Sequence, residues 1–526
     1  MIDTRLWLVI KTGANQRFIF GSHKRRLNVG GSYLVTRLPA WVNKACGDRP
    51  EVEQVVNVSG IAQLLVPDVK TAREIIKSVT TQALNEAPGL EVWGWFEEEP
   101  DTTTSLADRL SAAMWRLEEV RANLVPVEVR NPGNPFVERC GVTRRPAAWP
   151  RQKVLKQFVA PVIHKQVAVA EKALRRIRDD IIGPELSDAV LPLEKLDEDV
   201  TEDGWVAVVH ADGNGFGQLL MDLSSHYEDD YIDKLKGLSK ALDVVAQRAL
   251  QEAIAHVNEW WVTSRREEPS DDVAPRTGWI LPLIVGGDDL TAIVDAGLAR
   301  RFTEAYLHEF ELATAGSQEI SEIAEKVFHR GYLTACAGIA VVKPTHPFFD
   351  AYTLAEELCQ SAKRVKNYQI PVSAYDMHIA HEAAGRSITA IRGFGWEASD
   401  YDPGPVVISV PDDGAPTAGT DTEVSAERVE LDYRLATKLD KAIDALSGGF
   451  LTASQTHRVR TALTRPIDSA ARKHEVDSII ASYRLSPDPE VAAAADGVEI
   501  WLTAPDTARW GLLAIDVAEV ESALRS

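Results

Sequence analysis

The chain has 526 residues, 45% of them hydrophobic and 26% charged, which is a globular composition with room for several domains. Its 57 basic and 78 acidic residues give a formal net charge of −21, and this balance argues against a protein that coats nucleic acid through a basic surface. The four cysteines are scattered with no CxxC pair, and no run of about eighteen apolar residues indicates a membrane span. We therefore expect a cytoplasmic protein with reduced thiols and no membrane partner.

The first hundred residues predict a small α/β domain. Short apolar strands are indicated at residues 6–10, 51–58 and 91–96, with a helix at 69–85 between the last two. Another helical pattern, in residues 18–38, is expected to break at Gly30-Gly31. The basic cluster His23-Lys-Arg-Arg26 is either a solvated helix face or a contact for phosphate or RNA, and the sequence leaves both interpretations open.

Residues 101–200 predict a helical linker region. Helices are indicated at 105–124 and 156–182, and an acidic linker follows at 186–203. Cys140 stands alone between the two helices, whereas a zinc site needs several ligands close together. We therefore expect no zinc in this region.

Residues 201–395 contain the motifs on which the functional prediction depends. A buried strand at 205–211 ends in Asp212-Gly-Asn-Gly-Phe-Gly217, a glycine-rich turn that leads into a helix and could receive a phosphate. The elements expected after it are a helix at 231–261, strands at 279–285 and 290–294, a helix at 299–313, a strand at 333–342, a helix at 349–365 and a strand at 372–377. This βαββαβ order predicts a ferredoxin-like unit, with helices covering one side of a sheet.

The two adjacent strands of this unit flank Gly286-Gly287-Asp288-Asp289, which predicts a hairpin with a tight turn. Gly-Gly-Asp is also ordinary turn chemistry, so the hairpin alone does not establish a site. In the ferredoxin-like topology, however, the first strand and the hairpin neighbour each other, so Asp212 would converge with Asp288 and Asp289. Three carboxylates in one small space repel one another, an arrangement suited to holding two divalent cations. His210 is expected to face away from this site.

Residues 396–526 predict a mainly helical C-terminal domain. A polar loop is indicated at 411–423, followed by helices at 426–446, 452–463 and 469–483. No motif with an evident chemical role occurs in this part of the sequence.

Taken together, the motifs resemble the palm of nucleotide polymerases and cyclases, and most closely the large GGDD subunit of type III CRISPR effector complexes, the cyclic-oligoadenylate synthetase. In the first half, the similarity lies in Gln16-Arg-Phe-Ile19 and Val29-Gly-Gly-Ser-Tyr-Leu34, which resemble that family's inactive first palm, and in Cys140-Gly141, which resembles a remnant of its cysteine-rich insert. In the second palm, the matching segments are Ala211–Gly217, Gly286–Asp289, Ala337-Gly-Ile-Ala340 and Ser361-Ala-Lys-Arg364.

The resemblance implies an α+β fold with two ferredoxin-like, nucleotidyl cyclase-like palm domains. The inactive palm would occupy residues 1–100 and the GGDD palm residues 201–395. Between them, residues 101–200 would form the helical linker with a degenerate cysteine insert, and residues 396–526 would form the helical C-terminal domain. No His-Asp dipeptide occurs, so the family's optional HD nuclease domain is expected to be absent and the chain to be a minimal variant.

The implied activity is that of a nucleotidyltransferase that makes cyclic oligonucleotide messengers from ATP in antiviral defence, with Mg²⁺ or Mn²⁺ as cofactor. Asp212, Asp288 and Asp289 would be the catalytic residues and the metal ligands. Lys363 would neutralise triphosphate charge, although a lysine at a helix end also complements the helix dipole. The nucleotide-binding residues implied by the resemblance are Gly213, Asn214, Gly215, Phe216, Gly217, Gly286, Gly287, Ser361 and Lys363.

One departure from the family pattern affects the site. The family often has a second acidic residue where this chain has Asn214, which leaves one negative charge fewer for a metal. An alternative function is therefore a non-catalytic scaffold or a nucleotide-sensing subunit with a degenerate palm. A template-dependent polymerase ranks below both, because no finger or thumb elements are recognisable. The expected partners are ATP and either other CRISPR effector subunits with guide and target RNA, or a second copy of the chain.

Overall fold

The computed structural model describes residues 4–124, 136–196, 204–266, 273–380, 387–393 and 404–410. Beyond these it describes residues 427–447 except 429–430 and 433, residues 508–522, and a few single positions between 457 and 481. In the described part of the chain, no helix is both long and apolar enough to cross a membrane. All four cysteines are free and buried, as the composition predicts.

The first domain is a four-stranded antiparallel sheet with helices. Its elements are β1 (Leu6–Gly13), α1 (Asn15–Phe20), α2 (Arg25–Val35), α3 (Leu38–Cys46), β2 (Glu53–Val58), β3 (Ile61–Val66), α4 (Val69–Glu86), β4 (Glu91–Phe96) and α5 (Leu106–Ala122). The strand order β2-β3-β1-β4 is ferredoxin-like, as expected from the resemblance. The sequence prediction omitted β3, a six-residue apolar strand that pairs with both β1 and β2 at the centre of the sheet.

The linker region departs from the predicted helix at 156–182. Two short strands, β5 (Trp149–Gln152) and β6 (Gln157–Val159), pair before α6 (Pro161–Arg176) begins, and a π-helical turn, Ile177–Ile182, ends it. The predicted start was wrong because residues 157–159 pair with β5 and because Pro161 favours the first turn of a helix.

The expected helix break at Gly30-Gly31 is also wrong, because both glycines lie inside α2. A Cβ at Gly30 would lie only 2.0 Å from the backbone oxygen of Gln166 on α6. The glycines therefore serve the close packing of α2 on α6, and the helical pattern breaks instead at residues 21–24, between α1 and α2.

The second domain is built on a six-stranded sheet. Its elements are β7 (Val206–Gly213), α7 (Phe216–His226), α8 (Tyr231–Ser264), β8 (Ile280–Gly286), β9 (Asp289–Asp295), α9 (Ala296–Ala315), α10 (Gln318–Phe328), β10 (Ala335–Val342), α11 (Phe348–Ala362), β11 (Ala374–Ile379), α12 (Ile388–Gly393) and β12 (Val406–Val407). The order β12-β11-β10-β7-β9-β8 contains the ferredoxin-like core β10-β7-β9-β8, which confirms the second palm-like sheet. Outside that core, β11 runs parallel to β10 and β12 closes the edge.

Close packing of α11 on this sheet positions one wall of the site. Gly338 on β10 is the register partner of His210 on β7. A Cβ at Gly338 would lie 1.9 Å from the backbone oxygen of Ala355, so only glycine lets α11 approach the strand this closely. Since register partners share a face, α11 lies on the face of the sheet that carries His210.

The two palm-like domains contact each other directly. Gln16 of α1 donates a hydrogen bond of 3.0 Å from its amide nitrogen to the hydroxyl of Tyr352 on α11. The Ser32 hydroxyl donates to the backbone oxygen of Leu283, and the Lys236 ammonium on α8 pairs with Glu53 on β2. A cavity lined by residues of both domains, including Gln16 and Tyr352, lies at this interface.

The C-terminal region reaches the second domain through a buried charge cluster. Arg300 on α9 is 1% exposed, and its guanidinium pairs with Glu304 at 2.8 Å, with Asp440 at 2.7 Å and with Glu521 at 2.9 Å. Asp440 and Glu521 belong to the helices Ala436–Ser447 and Ala508–Ser522. The predicted helix at 426–446 is thus confirmed over its second half. The predicted loop at 411–423 lies outside the described residues, as does most of the predicted helices at 452–463 and 469–483.

Replacing Arg300 by methionine should destabilise the protein strongly. The change removes the only cation that Glu304, Asp440 and Glu521 share in the described structure, and breaking such a buried arrangement costs about 3–5 kcal/mol. The measurement is the shift in the urea unfolding midpoint. Arg301→Met, at the adjacent position where the guanidinium stacks on Trp260, is the control and should shift the midpoint far less. Equal shifts for the two variants would contradict a special role for the cluster.

Candidate metal and nucleotide site

Strand pairing brings the predicted carboxylates together. Asp212, the penultimate residue of β7, is the register partner of Asp289, the first residue of β9. Asp288 sits in the turn before β9, and its backbone oxygen accepts a hydrogen bond of 3.1 Å from the Gly213 N–H. A Cβ at Gly213 would lie 2.8 Å from the Asp288 Cβ, so a glycine there allows the end of β7 to approach the hairpin. The local sequence thus favours convergence of all three aspartates.

The three carboxylates form one cluster. One oxygen from each of Asp212, Asp288 and Asp289 lies within 4.8 Å of the others. Burial raises the pKa of Asp288. The Asp289 side chain is partly exposed, yet the dense protein around it, together with the charges of Asp288 and Glu356, raises its pKa to about 7. Mutual repulsion of this kind is relieved by a cation, and carboxylate oxygens are the ligands that Mg²⁺ and Mn²⁺ prefer.

The glycine-rich turn after β7 leaves the start of α7 open. Gly215 adopts a φ of +75°, which glycine tolerates, and it stands immediately before the first residue of α7, Phe216. No side chain caps this helix end. A Cβ at Gly217 would meet no atom within 4 Å. Backbone N–H groups of the first turn are therefore available to an anion such as a phosphate.

The Asn214 side chain is buried and contacts residues at the start of β10. Its side-chain nitrogen donates to the Thr334 hydroxyl at 3.1 Å and to the Cys336 sulfur at 3.3 Å, and the residue is 5% exposed. Its side-chain oxygen has no hydrogen-bond partner among the described residues. The amide thus ties the turn to β10, and the position that the family often fills with an acid is structural in this chain.

The lysine expected to bind phosphate contacts the carboxylate cluster, whereas the expected serine contacts Arg364. The Lys363 ammonium pairs with the Asp212 carboxylate, and burial, with help from the Lys366 charge, lowers the pKa of Lys363 to about 8. Ser361 instead interacts with Arg364, whose guanidinium donates to the Ser361 hydroxyl at 3.0 Å. Lys363 is thus placed to leave the Asp212 carboxylate and pair with another anion at the site.

The expectation that His210 faces away from the site is wrong. His210 lies two residues before Asp212 on β7, and alternate residues of a strand share a face. Its imidazole packs edge-on against Tyr352 and lies 3.1 Å from the Thr291 hydroxyl. Burial, together with the Lys363 charge, lowers the pKa of His210 to about 4, so the ring is neutral at physiological pH.

A cavity of about 810 Å³ between the two domains opens onto the carboxylates. Its wall on α11 is formed by Tyr352, Glu356 and Gln360, one helical turn apart. The opposite wall, from the first domain and the linker, carries the cations Lys11, Arg121 and Arg176. The sequence prediction missed all of these residues, although the four-residue spacing on α11 was visible in the sequence.

Converting Asn214 to aspartate should lower stability without strengthening metal binding. The amide nitrogen of Asn214 donates hydrogen bonds to Thr334 and Cys336, and a carboxylate cannot donate them. The loss of these bonds should lower the free energy of unfolding by about 1–3 kcal/mol. The measurements are the unfolding midpoint and the Mn²⁺ dissociation constant. Asn43→Asp, an exposed amide whose oxygen accepts from Asn57, is the control and should change neither. Tighter Mn²⁺ binding by the Asn214 variant would contradict the buried role.

Comparison with known proteins finds one family model and several solved structures that are similar to this chain. Residues 205–369 match the family described as Cas10/Cmr2, second palm domain. The whole chain is similar to the solved Csm1-Csm4 cassette in complex with cA4 (12% identity, 99% of this chain, 70% of that chain, TM-score 0.48) and to the apo cassette (13%, 99%, 70%, 0.49). No curated protein sequence matches it. The segment that is similar to this second palm domain includes both the Asp212 turn and the Gly286–Asp289 hairpin.

Proposed function

We propose that the protein is a metal-dependent nucleotidyltransferase that joins ATP molecules into cyclic oligonucleotides, within a CRISPR-type defence system. The observation that carries this proposal is the convergence of Asp212, Asp288 and Asp289 at the mouth of the cavity between the two domains. Such a cluster is unfavourable unless something positive binds to it, and the second palm family supplies the class of reaction.

The residues present fit a pair of divalent cations such as Mg²⁺ or Mn²⁺. The donor set is entirely carboxylate, and two of the three groups have a raised pKa, chiefly because they are desolvated at the site. When bound, such ions lower the pKa of an attacking ribose hydroxyl and stabilise the pyrophosphate leaving group. Asp212, Asp288 and Asp289 are the proposed ligands.

The protein's own groups are arranged for a nucleoside triphosphate. The cavity volume of about 810 Å³ falls within the range of small-molecule sites, roughly 300–1,000 Å³. In our proposal the triphosphate lies over the turn from Gly213 to Gly217, next to Phe216, and receives backbone N–H groups from the start of α7. Gly286 and Gly287 keep the hairpin turn free of side chains.

Lys363 is the residue that we propose pairs with the negatively charged triphosphate. In the structure its ammonium pairs with Asp212, and in our proposal this contact passes to the phosphate when a nucleotide binds. The facing cations Arg121 and Arg176 would receive the part of the nucleotide that extends toward the first domain. For Ser361 and Asn214 the role in nucleotide binding stays a prediction, because their side chains contact other residues of the protein: Arg364 for Ser361, and Thr334 and Cys336 for Asn214.

A second candidate function is a nucleotide-sensing or scaffold subunit without catalysis. The amide at Asn214 favours it, since an acid often stands at this position in the family and the site therefore has one negative charge fewer for a metal. The two functions differ in a single observable: a sensor binds ATP but releases no pyrophosphate.

The proposed partners follow from the proposed system. They are other CRISPR effector subunits with guide and target RNA, or a second copy of this chain. A net charge of −21 favours protein subunits as the carriers of most RNA contacts, because a strongly acidic chain repels phosphate. The cytoplasmic location stays a prediction.

Incubation of the protein with ATP and Mg²⁺, with and without candidate activating RNA, should release pyrophosphate and yield a cyclic product detectable by mass spectrometry. Asp288→Ala combined with Asp289→Ala should reduce pyrophosphate release by at least about a hundredfold, because the ions contribute several kcal/mol to the transition state. Asp222→Ala, which removes an exposed carboxylate on α7, is the control and should leave the rate unchanged.

No pyrophosphate from the wild-type protein under any of these conditions would overturn the enzymatic proposal in favour of the sensor. Full activity in the double variant would show that the reaction occurs elsewhere.

Metal binding should weaken as the pH falls through 7. The pKa of Asp289 is raised to about 7, so below that pH its carboxylate carries a proton that must leave before a cation binds. Between pH 8 and pH 6 the deprotonated fraction of such a group falls about tenfold, and the apparent Mn²⁺ affinity should fall by a similar factor. Isothermal titration at the two pH values measures it, with circular dichroism to verify that the fold is unchanged. An affinity that is independent of pH across this window would contradict the account.

A further inference from the structure

We propose that Asp243, on the long helix α8, is a positioning residue that fixes the metal-binding hairpin through the Gly287 amide. The inference rests on the proposed function, and it adds a residue that neither the motif pattern nor the carboxylate cluster includes. Asp243 lies 45 positions before Asp288 in the sequence, so no local pattern connects the two.

The contact is specific in geometry. The Asp243 carboxylate oxygen Oδ1 accepts a hydrogen bond of 2.9 Å from the backbone N–H of Gly287. The same oxygen would lie 3.1 Å from a Cβ at Gly286, so the glycine there leaves room for the carboxylate to reach the turn. Asp243 is half-buried and also lines the cavity between the domains.

The turn needs such a partner because of its type. Gly286 pairs with Asp289, so Gly287 and Asp288 form a two-residue hairpin loop. Gly287 has a φ of +63°, whereas Asp288 is not among the residues with positive φ; this combination is typical of a type II′ turn. The N–H of the first loop residue takes no part in strand pairing, so it is satisfied from outside the hairpin.

Two hydrogen bonds therefore fix the loop from opposite ends. Asp243 holds the amide of Gly287, and the Gly213 N–H holds the backbone oxygen of Asp288. Between these two points the direction of the Asp288 side chain is determined. A charged acceptor forms a stronger bond to an N–H than a neutral one, which suits a loop that must stay in place against carboxylate repulsion.

A direct role as metal ligand is not supported by the structure. Among the described residues, the carboxylates whose oxygens lie within 4.8 Å of one another are Asp212, Asp288 and Asp289, and Asp243 is outside that group. Asp243 thus acts on the site through the backbone of the turn.

The test compares Asp243→Ala, which removes the acceptor, with Asp243→Asn, which keeps an oxygen at the same position and removes the charge. Three quantities are measured: hydrogen–deuterium exchange of a peptide covering residues 284–290, the Mn²⁺ dissociation constant, and pyrophosphate release from ATP. We expect the alanine variant to exchange faster in that peptide, because the Gly287 amide loses its acceptor. We also expect it to bind Mn²⁺ at least about tenfold more weakly, because a less well-positioned Asp288 lowers the binding free energy, and about 1.4 kcal/mol corresponds to that factor. The asparagine variant should restore exchange protection to the wild-type level and Mn²⁺ affinity to within about threefold of it, because the acceptor remains.

Asp233→Ala is the matched control, since this aspartate lies on the same helix and its side chain is exposed. It should behave as the wild type in all three measurements. A global unfolding midpoint near the wild-type value in the alanine variant shows that the effect is local; a large fall in the midpoint would overturn a positioning role in favour of a general structural one.

Two results would overturn the proposal in distinct ways. Unchanged exchange in the alanine variant would show that Asp243 does not hold the turn. Equal loss of Mn²⁺ binding in the asparagine and alanine variants, with exchange at the wild-type level in the asparagine variant, would show that its charge acts directly on the metal. Absence of pyrophosphate from the wild type would instead contradict the proposed function, and the exchange measurement would still decide whether Asp243 holds the hairpin.

Discussion

The antiparallel pairing of β7 with β9 is the constraint on which the site depends. It places Asp212 beside Asp289 in register, and the hairpin that begins β9 adds Asp288. The pairing is favourable because the strands between these residues are apolar and buried, whereas the carboxylates at their ends repel one another. The sheet therefore imposes an arrangement that the aspartates would not adopt alone. A bound cation would relieve this repulsion.

The surroundings of the cluster come from three parts of the chain that are distant in sequence. On the same face of the sheet as the Asp212–Asp289 pair, the next cross-strand pair is His210 with Thr291, and Tyr352 of α11 packs edge-on against the imidazole. Tyr352 also stacks on Phe20 of the first domain with ring centroids 4.4 Å apart. The first domain is thus in contact with residues that lie next to the carboxylate cluster, and a change at the domain interface would be felt at the site. A domain that contributes none of the three clustered aspartates can therefore still influence them.

The sequence predicted the parts of the fold that depend on local pattern and topology. Apolar runs predicted the buried strands and their βαββαβ order, and glycines marked the turns at Asp212 and at Gly286–Asp289. The ferredoxin-like topology then predicted that the aspartates of these two turns converge. The errors arose where packing between segments that are distant in sequence determines the local structure. Gly30 looked like a helix break, yet it is a helix contact, because Gln166 lies against it. The orientation of Asn214 depends on Thr334 and Cys336, and the contact of Asp243 with Gly287 depends on the path of α8. Neither leaves a sequence signal, since the partners are set by tertiary structure alone.

The central claim is that Asp212, Asp288 and Asp289 together hold divalent cations. Diffraction from crystals soaked in Mn²⁺ and a non-hydrolysable ATP analogue, recorded where manganese scatters anomalously, tests it most directly. The account predicts anomalous peaks within bonding distance of all three carboxylates, at roughly 2.0–2.2 Å, with Lys363 displaced from Asp212. Anomalous density elsewhere, or a cluster that keeps the Lys363 contact and holds no metal, would contradict it.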